Sequence, residues 1–130
     1  MRPVVAIYAQ GTMGAGIAGV LTANGLSVVT CLEGRSAESA KRAQTAGMEA
    51  ASFDQLSRAD ILLSVLPPGD ALAFAERIAP FLKRATQKPL YVDCNAVSPK
   101  TLNAIAAVIA TTGASFADVG IIGIDRKSVV

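Results

Sequence analysis

Pro3-Val4-Val5-Ala6-Ile7-Tyr8-Ala9-Gln10-Gly11-Thr12-Met13-Gly14 is the stretch that decides the fold. Its first half, Pro3 to Tyr8, is short, apolar and rich in β-branched residues, the composition of a strand buried on both faces of a parallel sheet. Residues 9–14 make a glycine turn, after which Met13, Ile17, Val20 and Leu21 recur at helical spacing. A second apolar run, Ser27 to Leu32, ends at Glu33-Gly34-Arg35-Ser36. Strand, glycine turn, amphipathic helix and second strand in that order form the layout of a dinucleotide-binding βαβ unit.

The turn has a physical logic. Gly11 lets the backbone approach a pyrophosphate with no Cβ in the way, and Gly14 lets the helix pack tightly on the strand. The free N–H groups of the first helical turn, with the helix dipole behind them, face the phosphates. Gly11, Thr12, Met13 and Gly14 are therefore the candidate phosphate-binding residues. Ala9 stands where the pattern's first glycine falls, so the fingerprint reads A-x-G-x-x-G. Either the turn is slightly altered there, or Ala9 holds an ordinary β conformation. The competing reading is a purely structural turn.

The chain has 130 residues, 52% hydrophobic and 17% charged, which suits one domain built on a sheet covered on both faces. Its net charge of +2 is too small and too dispersed to indicate nucleic acid. With no histidine, His-based metal sites and a Ser-His-Asp triad are excluded, and no metal ligand set is expected. Cys31 and Cys94 lack metal or CxxC spacing and read as two buried thiols of a reducing compartment. No apolar run is long enough for a membrane helix. The N-terminal run is broken by Gln10 and glycines and doubles as a first strand, so a cytoplasmic protein is expected rather than a secreted one.

Strand-like and helix-like segments alternate along the whole chain. Ser36 caps a helix running to about Ala46, with its alanine face at Ala40, Ala43 and Ala46 and Gly47 as its stop. Residues 48–51 suggest a short strand, 52–59 a turn of helix, and Ile61 to Leu66 a buried strand ended by Pro67-Pro68-Gly69. Asp70 is then expected to cap a helix with a stripe at Leu72, Ala75, Ile78, Ala79 and Leu82, broken or kinked by Pro80. Leu90 to Cys94 is a fifth strand, and Ser98-Pro99 opens a helix in the preferred way. That helix turns Leu102, Ile105, Ala106 and Ile109 inward and stops at Gly113; Ser115 to Val119 is a sixth strand. The pattern predicts the α/β class: a Rossmann-type, doubly wound parallel sheet in three layers.

Ligands of such sheets bind at the carboxyl ends of the strands, where every unusual loop of this chain falls. Glu33, about twenty residues after Gly14, is placed to grip ribose hydroxyls as in NAD-specific sites. Arg35 and Ser36 instead offer a guanidinium and a hydroxyl to a 2′-phosphate, unless Arg35 is a solvated loop charge. Leu66 and Pro67 suit an apolar wall beside the cofactor. Asn95 is a candidate for the nicotinamide carboxamide or a substrate oxygen, against an Asx-turn that positions the next helix. Gly120 and Gly123 would admit a substrate to the backbone or simply make a tight turn. Asp93 reads as a strand-end turn former.

These loops, in this order, resemble the β-hydroxyacid dehydrogenase superfamily, which includes 6-phosphogluconate and 3-hydroxyisobutyrate dehydrogenases. Gly11-Thr12-Met13-Gly14 is similar to its G-x-G-x-M-G, Gly34-Arg35-Ser36 to its N-R-S/T, and Asp93 to Pro99 to its D-x-S-T-x-x-P with Asn95 in place of the serine. Asp118 to Gly123 corresponds loosely to D-A-P-V-S-G-G. The variants look closest to a phosphogluconate-dehydrogenase-like branch. The resemblance covers residues 3–123 and implies an NAD(P)-binding domain at 1–123, followed in the family by a helical domain carrying the catalytic lysine. It aligns the phosphate-binding position with Arg35, which favours NADP over NAD. The tail, residues 124–130, fits no family element, and no catalytic residue is expected within this chain. The expectation is thus the cofactor domain of a truncated oxidoreductase acting on a hydroxy acid or related carbonyl compound, homodimeric when complete. An imine reductase cofactor domain and a stand-alone, non-catalytic nucleotide-binding module are the alternatives.

Overall fold

The fold was analysed in a computed structural model that describes residues 3–9, 12–33 and 36–119, with Thr12 and Met13 described by their backbone alone. Six strands, β1 (Val4–Ala9), β2 (Ser27–Thr30), β3 (Glu49–Ala50), β4 (Ile61–Val65), β5 (Leu90–Asp93) and β6 (Ser115–Asp118), form one sheet in the order β3-β2-β1-β4-β5-β6. Every pairing is parallel. Among the described residues five helices connect them: α1 (Thr12–Ala23), α2 (Ala37–Thr45), α3 (Phe53–Leu56), α4 (Pro68–Arg84) and α5 (Pro99–Ala110). The strand order reverses direction at β1, between β2 and β4. This is the switch point where open α/β sheets bind ligands, at their carboxyl edge.

Strand alternation divides the core into two layers. On one face Ala6, Tyr8, Leu62, Leu66 and Tyr91 pack under Phe53 and Leu56 of α3, Phe74, Ile78 and Leu82 of α4, and Ile105 and Ile109 of α5. On the other, Val5, Ile7, Val28, Val65 and Val92 pack under Ala18, Ile17 and Leu21 of α1 and Ala46 beyond α2. The doubly wound, three-layer expectation is what is found. Within α1 the stripe is shifted: Val20 is 63% exposed, and Ala18 is fully buried. A small side chain lets this helix lie close to β1.

Local chemistry explains most boundaries. Ser52 and Gln55 form a reciprocal capping box at α3, with Gln55 N–H donating to Ser52 Oγ at 3.2 Å and Ser52 N–H to Gln55 Oε1 at 2.9 Å. Gly113, at φ +85°, turns the chain out of α5 in the left-handed conformation that glycine tolerates best. At α4 the expected cap is corrected, and Pro80 does not break the helix. Its N-cap is Pro67, followed by Pro68 at the first helical position, so Asp70 lies inside the first turn and is not the cap. Two prolines preset the φ that a helix start needs and have no N–H to orphan there. Nor does Pro80 end the helix, which runs on to Arg84. Leu82 beyond it is fully buried, and carbonyls at the helix end are collected by the Lys88 ammonium. It donates to Leu82 O at 2.8 Å, Lys83 O at 3.2 Å and Ala85 O at 2.9 Å. The sequence stripe also omits Ala71 and Phe74, both buried.

Candidate functional site

At the carboxyl edge of β1, Ala9 is the last strand residue, in register with Val65 of β4. No non-glycine among the described residues has a positive φ, so Ala9 holds an ordinary extended conformation and the first turn position needs no glycine here. Helix α1 starts at Thr12 with no acidic side chain in its first turn, unlike α2, α3 and α4, which carry Glu38, Asp54 and Asp70 there. Its positive end therefore keeps its field for an anion. Gly14 is buried against the strand. Gly11 and the side chains of Thr12 and Met13 lie outside what is described.

Next to this turn, β2 leads to Cys31 and Thr30, both buried, and to an exposed Glu33. Ser36 is the N-cap of α2: its Oγ accepts from Ser39 N–H at 3.1 Å and lies 3.1 Å from Ser39 Oγ. A crevice between α1, α2 and the sheet is lined by Ala9, Ala15, Thr30, Leu32, Ser39 and Arg42, among others. Ser39 and Arg42 were not singled out from sequence. The signal was there, because 36, 39 and 42 step down one face of a helix that the Ser36 cap already fixes. Arg35 lies outside the described residues.

The other half of the edge is held together by Asn95, which is 6% exposed. Its Oδ1 accepts from Leu66 N–H at 2.7 Å, and its Nδ2 donates to Ser64 Oγ at 3.1 Å. Asn95 N–H in turn donates to Asp93 Oδ1 at 2.9 Å, so the Asx-type turn belongs to Asp93. One side chain thus ties the loop after β5 to the loop after β4. Leu66 is buried beside Tyr8, whose ring stacks on Phe74 with centroids 4.3 Å apart, while Pro67 is exposed. Removing Asn95 orphans the Leu66 N–H in a dry site, which typically costs ~1–3 kcal/mol. Asn95→Leu is expected to lower stability by about that much in urea unfolding, whereas a loss below ~0.5 kcal/mol would mean the clamp is idle.

Asp93 is fully buried, and its Oδ2 has no hydrogen-bond partner. It lies in register with Asp118 on β6, and the Tyr91 hydroxyl, which faces Ser64 on the same sheet face, also makes no well-formed hydrogen bond. Burial raises the Asp93 carboxyl above the ordinary carboxylate range, helped by Asp118 and opposed by the Asn95 hydrogen bonds. Burial likewise raises the Tyr91 hydroxyl and pushes the Cys94 thiol up to about 11. A carboxyl raised by folding stabilises the fold below its unfolded pKa and loses that contribution as pH rises through its folded value. Asp93→Asn, which keeps the acceptor and cannot ionise, should therefore raise the melting temperature more at pH 8 than at pH 5. Equal shifts at both pH values would contradict a raised Asp93.

The edge thus offers the start of α1 with no acidic side chain in its first turn, the hydroxyl-capped starts of α2 and α5, and a rigid polar clamp between β4 and β5. Gly120 and Gly123 lie outside the described residues. Among the described residues no three His, Cys, Asp or Glu side chains gather as a metal site, and no helix is long and apolar enough to cross a membrane.

The architecture and its edge are those of a dinucleotide-binding Rossmann domain. The sequence model for the NAD-binding domain of 6-phosphogluconate dehydrogenase matches residues 5–128, and the chain belongs to that family. Among solved structures, a conserved protein of unknown function, described as similar to 3-hydroxyacid dehydrogenases, is 30% identical with a TM-score of 0.79, the match covering 95% of this chain and 45% of that one. The 3-hydroxyisobutyrate dehydrogenase of Mycobacterium tuberculosis, solved with L-serine, shares the fold at 22% identity and a TM-score of 0.76, with 95% of this chain and 42% of that one covered. An imine reductase variant from Myxococcus stipitatus, solved with NAD+, does so at 17% and 0.77, with the same coverage. The chain therefore spans less than half the length of these proteins. A search of curated proteins finds no match.

Proposed function

We propose that this chain is the cofactor-binding part of an oxidoreductase that moves a hydride between NADP(H) and a hydroxy acid or related carbonyl compound. The observation that carries the reading is the meeting, at one switch point, of the carboxylate-free N-terminus of α1 with the Ser36-capped start of α2. The residues fit a dinucleotide. Backbone N–H groups from Gly11 to Gly14 would hold the pyrophosphate, and Glu33 stands by the ribose hydroxyls. Arg35 and Ser36 would take the 2′-phosphate, the first as a guanidinium and the second as a hydroxyl donor.

Leu66 and Pro67 form the apolar side of the groove. Asn95 keeps one Nδ2 hydrogen beyond its bond to Ser64 for the nicotinamide carboxamide or a substrate oxygen. Gly120 and Gly123 are assigned to the substrate end. The bound nicotinamide supplies or accepts the hydride. The residues of this chain would bind and orient it, and the general acid–base is assigned to a helical domain outside them; the family match carries the cofactor domain to residue 128 rather than 123. The complete protein is read as a cytoplasmic homodimer; two buried free thiols fit a reducing compartment.

Calorimetric titration of the chain with NADP+ and NAD+ tests the assignment. Tighter binding of NADP+ is expected, and a preference for NAD+ would transfer the ribose-end role to Glu33. Assayed alone with NADP+ and a panel of hydroxy acids, the chain should turn over far below ~1 s⁻¹, the low end of ordinary enzymes. Turnover at that rate or above would place the acid–base within these residues.

A further inference from the structure

We infer that Ala9 and Gly14 share a single methyl-sized slot between β1 and α1, and that Ala9 is the positioning residue that sets how closely the first turn of α1 approaches the phosphate seat. A Cβ built on Gly14 would collide with the Ala9 Cβ. Its next neighbours would be Ile7 Cγ2 at 3.7 Å and Ala9 Cα at 3.8 Å, both ordinary van der Waals contacts. The prohibition on a side chain at position 14 therefore comes from one methyl group, that of Ala9.

Backbone conformation adds no second reason. Gly14 is helical and is not among the positive-φ glycines, which among the described residues are Gly25, Gly47 and Gly113. Ala9 is extended and paired with Val65, so glycine is optional there too. The methyl can sit on the strand or on the helix, but not on both. This sequence has placed it on the strand, where dinucleotide turns carry their first glycine, and has kept position 14 bare to match. Gly16 provides the contrast on the same helix. A Cβ there meets nothing within 4 Å, so Gly16→Ala tests helix propensity without any clash.

The test is a double-mutant cycle on the 130-residue chain, read by thermal unfolding without cofactor and by calorimetric titration with NADP+. Overpacking makes Gly14→Ala lose about 5–10 °C in melting temperature, from the usual cost of an inserted methyl group and the usual conversion for a domain of this size. It should also weaken NADP+ binding about tenfold by lifting the helix start. Ala9→Gly/Gly14→Ala should return to within about 3 °C of the parent and to within about threefold of its affinity. Gly16→Ala should match or exceed the parent in stability. A double variant as unstable as Gly14→Ala would overturn the shared slot. If Gly14→Ala alone fails to fold, recovery of folding in the double variant supports the slot and continued failure overturns it. The binding arm rests on the nucleotide reading; if the parent chain does not bind NADP+, that reading fails while the melting cycle still decides the slot.

Discussion

Gly11→Val is expected to abolish binding of both NADP+ and NAD+ while leaving a folded chain. A branched side chain at that position fills the space through which the backbone must approach the pyrophosphate. Loss of the main anion seat should weaken either cofactor by about a hundredfold or more, equivalent to about 2.7 kcal/mol. The fold should tolerate the change, because the core is built on the sheet and on side chains of α3, α4 and α5. Ala6 and Ile7 are fully buried within the sheet whatever the turn carries. Circular dichroism and calorimetry together check this. A folded variant that binds normally would make the turn structural only.

Arg35→Ala carries the second large effect, and it is selective. Charge-assisted hydrogen bonds contribute ~1.5–3 kcal/mol each, so NADP+ affinity should fall roughly ten- to a hundredfold. NAD+, lacking the 2′-phosphate, should be little affected. An equal fall for both cofactors would move Arg35 to the pyrophosphate, and no fall for either would make it a solvated charge. Ser39 and Arg42 follow Ser36 on the same face of α2, so a residual NADP+ preference in Arg35→Ala would point to them next.

Much of the sheet was legible in sequence because β1, β4 and β5 are short, largely apolar runs. Ser36, Ser52 and Ser98 mark helix starts through side-chain chemistry that is local, and local chemistry is what a sequence displays. What was misread depends on tertiary context. Val20 has the right spacing for the core, yet its turn of α1 faces solvent because the smaller Ala18 faces the sheet. Pro80 has the wrong residue type for a helix interior, yet burial of Leu82 and the reach of Lys88 carry the helix past it. Asn95 was visible as an unusual loop residue, but its grip on Leu66 and Ser64 joins positions about thirty apart and cannot be read from spacing. The unpaired oxygen of Asp93 and its place beside Asp118 across the β5–β6 pairing are likewise tertiary facts that spacing does not display.

The central claim is that a dinucleotide lies across the carboxyl edge of this sheet, from the start of α1 to the loop held by Asn95. Amide chemical-shift mapping of the nitrogen-15-labelled chain during titration with NADP+ tests it most directly. The largest shifts should fall at residues 11–14, at 36–39 beside the Ser36 cap, at Leu66 and at 95–98. The opposite edge, at residues 24–26, 58–60 and 112–114, should stay still. Saturable shifts confined to the opposite edge, or no shifts at millimolar NADP+, would contradict the account.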